Sequence, residues 1–205
     1  MNPTLIYIHD PMCSWCWGFT KVYHQILEQL PQEIATMRLL GGLAPDTDEV
    51  MPETTRQMIK DNWQRIHQVI PGVEFNYDFW TRCEPRRATY PACRAVIAAR
   101  NQGNDFDLIM TAKIQRAYYL EAKNPSENST LIELADEVGL DTEGFSRDLI
   151  SAETHQFLNQ EINQTRSMGI NGFPSLVIKS DERYQQILTN YNDAAPMLEQ
   201  ILASR

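Results

Sequence analysis

Cys13 and Cys16 stand three positions apart in the stretch DPMCSWCWGF, residues 10–19. Two thiols at that spacing can supply half of a metal centre, close a permanent staple, or make and break disulfides with a partner. Four cysteines in 205 residues (Cys13, Cys16, Cys83 and Cys93) are too few for a disulfide scaffold. In a reducing compartment a C-x-x-C pair reads as metal-binding or redox-active rather than structural. A four-thiolate zinc centre would need a second close pair, and nine residues separate Cys83 from Cys93.

The other chemistry-bearing residues are weaker candidates. His9, His24, His67 and His155 have no metal-ligand or triad spacing and read as surface or locally bonded residues. Asp10, three residues before Cys13, could influence proton transfer, but an Asp before Pro is also ordinary turn chemistry, and the turn reading is preferred. Cys83 and Cys93, the latter near the start of PACRA, could form a second redox pair or a relay from Cys13–Cys16. Their spacing is no recognised redox motif and free cysteine is commonly buried, so the unreactive reading is preferred. A formal charge of −9 argues against a nucleic-acid backbone as partner. No stretch approaches the length of a membrane span. The first residues, MNPTLIYIHDP, lack the basic and apolar regions of an export signal, so a cytoplasmic address is expected.

The elements that must position the pair follow from periodicity. TLIYIH (4–9) is a short β-branched and aromatic run of strand length. Phe19, Val22, Tyr23, Ile26, Leu27 and Leu30 recur with helical spacing up to Pro31. IATMRLL (34–40) reads as a second strand, so the opening is a βαβ unit carrying both cysteines in its first turn. A helical middle follows. Met58, Ile59, Trp63, Ile66 and Ile70 make one stripe, and further helices are predicted over 91–103, 106–122 and 152–168. Thr130 and Glu133 suggest a capping box for the helix that Gly139 ends. SLVIK and YQQILTNY flank the turn SDER as a hairpin, and residues 193–203 close the chain as an amphipathic helix.

A C-x-x-C at the head of a helix after the first strand, a Pro just before a later strand and a closing ββα together resemble the thioredoxin fold. The segments RATYPACRAVIAAR, ELADEVGLD and GINGFPSLVI resemble its DsbA-type branch, and DPMCSWCWGF is most similar to the FrnE-like cytoplasmic members, predicted protein disulfide isomerases. The resemblance covers essentially the whole chain. It implies an α/β thioredoxin fold split by a large all-helical insertion, with 1–48 and 169–205 as the thioredoxin-like part and 49–168 as the insertion. It also implies a thiol–disulfide oxidoreductase acting on protein or peptide thiols and disulfides, with glutathione as a further candidate partner and neither metal nor cofactor. Pro174 would follow a cis bond and face the cysteines, leaving the Phe173 backbone to pair with an extended substrate. Kappa-class glutathione transferases and chromene-carboxylate isomerases share this fold and supply the alternative activity. They carry Ser where Cys13 stands and lack the second thiol.

The residue chemistry agrees independently. A thiolate is the nucleophile, and a free cysteine, with a pKa of about 8.5, is mostly protonated at neutral pH. At the open N-terminus of a helix Cys13 meets unpaired N–H groups and the positive end of the helix dipole, both of which favour its charged form. Cys13 is therefore expected to be exposed and to attack, with Cys16, one turn deeper, resolving the mixed disulfide. Trp15 is expected to be exposed and to contact substrate. The Ser14–Trp15 dipeptide carries no positive charge, which predicts a potential between about −270 mV, typical of thioredoxin, and about −120 mV, that of DsbA.

Overall fold

The β-branched run near the N-terminus forms β1 (Thr4–His9), and the sheet is built outward from it. The computed structural model describes residues 3–181 and 183–204. β1 pairs in parallel with β2 (Ala35–Leu40) and antiparallel with β3 (Ser175–Ser180), which pairs antiparallel with β4 (Arg183–Ile187). The order β2-β1-β3-β4 sets the late strand β3 beside the first one. A parallel pair needs a crossover, and α1 (Ser14–Gln29) supplies it. Leu30 takes an extended conformation ahead of Pro31, whose ring disfavours helix in the residue before it, so α1 stops there.

Strand alternation sorts β1 onto two cores. Leu5 and Tyr7 pack with Phe19, Val22 and Ile26 of α1 and with Met197 and Ile201 of α9 (Ala195–Ala203). Ile6 and Ile8 pack on the other face with Leu39, Ile170 and Val177. Full burial of side chains of this size stabilises the fold by roughly 1.5–3 kcal/mol each.

Between β2 and β3 the elements are helices: α2 (Glu53–Val69), α3 (Phe79–Arg82), α4 (Tyr90–Arg100), α5 (Phe106–Tyr119), α6 (Asn128–Glu137), α7 (Thr142–Leu149) and α8 (Ala152–Ser167). They share a third core that includes Trp63, Phe79, Val96, Ile114 and Leu134. The arrangement is the thioredoxin fold with a helical insertion that the sequence predicts. A buried chain of charges ties the insertion to the sheet. Arg38 of β2 pairs with Asp107 of α5 at 3.0 Å, and Asp107 with Arg100 of α4 at 2.6 Å. Arg100 then pairs with Glu161 of α8, whose second oxygen accepts the Leu40 N–H at 2.7 Å. Removing one partner would leave an uncompensated charge in the interior, so the chain acts as a unit.

Several elements differ from expectation. α1 begins at Ser14, ahead of the apolar stripe, because Cys13 caps it. The Thr130–Glu133 capping box does not form. The helix starts at Asn128, and Glu133 is drawn instead to Lys123 at 2.8 Å. α3 and α7 have no counterpart in the periodicity reading, being only 4 and 8 residues long. β4 ends at Ile187, short of the predicted YQQILTNY, and Leu188 is exposed. Glu182, in the predicted SDER turn, lies outside the described residues.

Candidate active site

α1 determines where the sulfurs sit. Cys13 is its N-cap, with an extended backbone, and its Sγ accepts the Cys16 N–H at 3.4 Å. The sulfur thus does what a serine or aspartate oxygen does at other helix starts, satisfying a donor the helix leaves unpaired. The Cys13 thiol donates in turn to the Phe173 carbonyl at 3.4 Å. Phe173 stands at the end of the loop before β3, and the Phe173–Pro174 peptide bond is cis. Two segments 160 residues apart therefore meet at one sulfur.

Both thiols are free and buried. Cys13 is 5% exposed, less open than its position ahead of the helix suggested, while Cys16 is 0% exposed. The difference between them lies in their surroundings. Cys13 lines a cleft of about 290 Å³ together with Trp15, Leu43, Arg87 and Phe173. Cys16 sits in the first turn of α1 on its buried face, where burial first, and the Cys13 sulfur next, push its thiol well above the usual range. A reagent entering by the cleft meets Cys13.

Ser14, within the C-x-x-C, accepts the Trp63 indole N–H at 2.9 Å, which links the redox turn to α2. Trp15 is half-buried rather than exposed. Its ring centre lies 5.0 Å from that of Tyr191, and Arg65 stands over it at 5.8 Å. Tyr191 carries a phenol raised by burial, with the two thiols adding to the effect.

Asp10 is more than a turn residue. It is wholly buried and accepts four donors: Met12 N–H at 2.8 Å, Leu43 N–H at 2.8 Å, Thr89 Oγ1 at 2.6 Å and Cys93 Sγ at 3.5 Å. Burial raises its pKa, and the hydrogen bonds from Thr89, Leu43, Met12 and Cys93 oppose that rise. Cys93 is buried, and its thiol is pushed far up by burial and by the Asp10 charge, so it serves as a protonated donor. Cys83 donates to the Ala122 carbonyl at 3.1 Å, and burial raises its thiol too. Among the described residues no group of three or more His, Cys, Asp or Glu side chains could hold a metal ion. His9, expected at the surface or locally bonded, is fully buried, stacked on Tyr7 and bonded to Arg38 at 3.1 Å.

The thioredoxin family profile matches residues 6–197, nearly the whole chain. The chain belongs to the thioredoxin family. Solved structures of similar fold include a disulfide reductase and, at lower identity, DsbA oxidoreductases. A structure from Nitrosomonas europaea, provisionally assigned as a protein disulfide isomerase, is 29% identical with a TM-score of 0.85, covering 100% of this chain and 97% of that one. The cytosolic disulfide reductase DsbM of Pseudomonas aeruginosa is 26% identical with a TM-score of 0.79, covering 98% and 100%. Among curated sequences, the ClpXP adapter protein SpxH of Halalkalibacterium halodurans is 23% identical over 176 residues. This thioredoxin-family chain covers 57% of that relative's length. The fold is the one DsbA-like thiol–disulfide oxidoreductases share, and in this chain it sets a C-x-x-C pair at the head of α1.

Proposed function

We propose that this protein exchanges thiols and disulfides on protein or peptide substrates, with Cys13 as nucleophile and Cys16 as resolving thiol. The observation that carries the reading is the Cys13 sulfur itself. It sits between the Cys16 N–H and the Phe173 carbonyl, each at 3.4 Å, on the wall of an open cleft. The helix-terminal N–H groups are donors that a thiolate at this position can use.

The thiolate of Cys13 attacks one sulfur of a substrate disulfide. A Cys13–substrate bond forms, the substrate S–S bond breaks, and the second substrate sulfur leaves as a thiolate. Cys16 then loses its proton and attacks the Cys13 sulfur, forming the protein disulfide and releasing the reduced substrate. The raised thiol of Cys16 keeps it protonated and quiet until that second step. Trp15, Phe173 and Pro174 are the substrate-facing residues in this reading, and residues 49–168 form the insertion whose Arg87 and Tyr118 make the far wall of the cleft. A cytosolic place of work agrees with the description of the Pseudomonas neighbour. Glutathione as a partner is supported by a second structure of that neighbour, 25% identical, which holds GSH.

The test is trapping. Cys16→Ala should accumulate mixed disulfides with protein substrates at Cys13, whereas Cys13→Ala should not. Equal trapping by both variants, or trapping by Cys13→Ala alone, would overturn the assignment.

A further inference from the structure

The cleft beside Cys13 has an unusual charge. The chain carries 27 Asp and Glu residues against 18 Lys and Arg, yet among the described residues no acidic one lines this cleft, while Arg86 and Arg87 both do. The two arginines are not equivalent. Arg86 is held by Glu127 at 3.0 Å, Asp48 at 3.3 Å and the Ser126 carbonyl at 2.7 Å. Arg87 is half-buried and makes no hydrogen bond or ion pair among the described residues. Its charge is felt by the Tyr118 phenol, another lining residue.

We infer that this cleft selects small peptide thiols and disulfides that carry a carboxylate, and that Arg87 binds the carboxylate; the inference rests on the thiol–disulfide reading above. A guanidinium is a planar fork of donors matched to a carboxylate. Partial burial without a partner costs hydration, and an incoming carboxylate offsets that cost. Size limits the ligand further. At about 290 Å³ the cleft lies at the lower edge of small-molecule sites, which run from roughly 300 to 1,000 Å³. It admits a group the size of a tripeptide rather than a folded segment. The ligand must present a sulfur to Cys13 and a carboxylate to Arg87 at once, which a short cysteinyl peptide such as glutathione can do.

The redox balance closes without another reactant. Cys13 attacks the peptide disulfide, forms a Cys13–peptide bond and expels one peptide thiolate. Cys16 then displaces the second, so the peptide disulfide gains two electrons and the protein dithiol loses them. Protons given up by Cys13 and Cys16 balance those the two peptide thiolates take up. The reverse direction lets two peptide thiols reload the protein dithiol.

The test is a charge series on the full reduced chain: glutathione disulfide (anionic), 2-hydroxyethyl disulfide (neutral) and cystamine (cationic), with thiol loss followed at low and at about 0.5 M salt. The quantity read is the ratio of second-order rate constants, anionic to neutral. Hydrogen bonds to charged groups contribute about 1.5–3 kcal/mol, so Arg87→Gln should lower that ratio by about tenfold or more. Arg87→Lys should recover part of it, and Arg87→Glu should invert the preference towards cystamine. High salt should shrink the wild-type ratio and leave that of Arg87→Gln nearly flat. A ratio in Arg87→Gln within twofold of wild type overturns the assignment. An acidic peptide too long for the cleft that reacts faster than glutathione disulfide, and depends equally on Arg87, overturns the size limit. A wild-type protein that reacts with none of the three disulfides overturns the small-peptide selection, and the thiol–disulfide reading falls with it only if Cys16→Ala also traps no protein substrate.

Discussion

Gly41 follows β2 and lies directly under the Phe173 ring. A Cβ added there would come within 2.0 Å of Phe173 Cζ and 2.1 Å of Cε1. Carbon atoms pack at about 3.5–4.0 Å, so the ring would have to retreat by roughly 1.5 Å. Phe173 cannot retreat freely, because its carbonyl accepts the Cys13 thiol at 3.4 Å. Gly41→Ala should therefore behave as an overpacked core, costing about 1–3 kcal/mol. In a chain of this size each kcal/mol lowers the melting midpoint by about 2–4 °C. Urea unfolding of Gly41→Ala, Phe173→Ala and the double variant isolates the contact. With the ring gone, adding the methyl group should cost less than about 0.5 kcal/mol, giving a coupling energy near 1 kcal/mol or above. The single variant should also slow disulfide exchange at Cys13, since the shift is transmitted to the Phe173 carbonyl. Equal costs of Gly41→Ala with and without the ring would refute the argument.

Other consequences are direct. Trp63→Phe removes the donor to Ser14 and some buried volume, and should cost about 1–3 kcal/mol by denaturant titration, with Ser14→Ala adding little in that background. Iodoacetamide at neutral pH should label Cys13 well before Cys16, as read by peptide mass, because Cys16 is inaccessible and its thiol is raised. Arg94 holds Asp46 below its ordinary pKa, so the pair's stabilisation is present above the unfolded value of about 3.9 and lost as pH falls through the folded one. Asp46→Asn should cost about 1 kcal/mol at pH 7, a figure kept low because its side chain is 48% exposed, and much less at pH 3.

What the sequence disclosed depended on range. β1, α1 and β2 were legible because their apolar residues repeat with periods of two and 3.6, and the C-x-x-C fixed where the site begins. α3 and α7 were not, since elements of 4 and 8 residues complete too few turns to show a period, although Asp141 does cap α7 by accepting from Glu143 and Gly144 N–H. Thr130 misled because a cap motif competes with tertiary contacts, here the pull of Lys123 on Glu133. The larger omissions are long-range. The Trp63–Ser14 bond spans 49 positions and the Thr89–Asp10 bond 79, so no local pattern records them. Asp10 looked like turn chemistry because one of its four bonds, to Met12 two residues on, is turn chemistry.

Those same bonds make the redox turn dependent on the helical insertion, and Thr89 is where the dependence can be measured. Its hydroxyl donates to Asp10 at 2.6 Å and accepts the Ala44 N–H at 3.1 Å, with both residues buried. Thr89→Val keeps the shape and deletes the hydroxyl. Burial already raises the Asp10 pKa, and the Thr89 bond is the largest influence opposing it, so the variant should carry a still higher one. The sign follows from proton counting. Between the two folded-state values the variant binds more protons than wild type, so its stability declines more steeply as pH rises. The deficit of Thr89→Val relative to wild type should therefore be smallest in acid, where Asp10 is protonated in both. Above the folded-state values it should have grown by about 1.5–3 kcal/mol, the worth of a hydrogen bond to a charge. Denaturant titrations across that range measure it directly. Loss of the Ala44 N–H acceptor contributes a part that does not vary with pH, so only the growth of the deficit reports on Asp10. A deficit that stays constant from acid to alkali would mean that Thr89 supports the turn only through contacts that do not depend on the Asp10 charge, such as its bond from the Ala44 N–H.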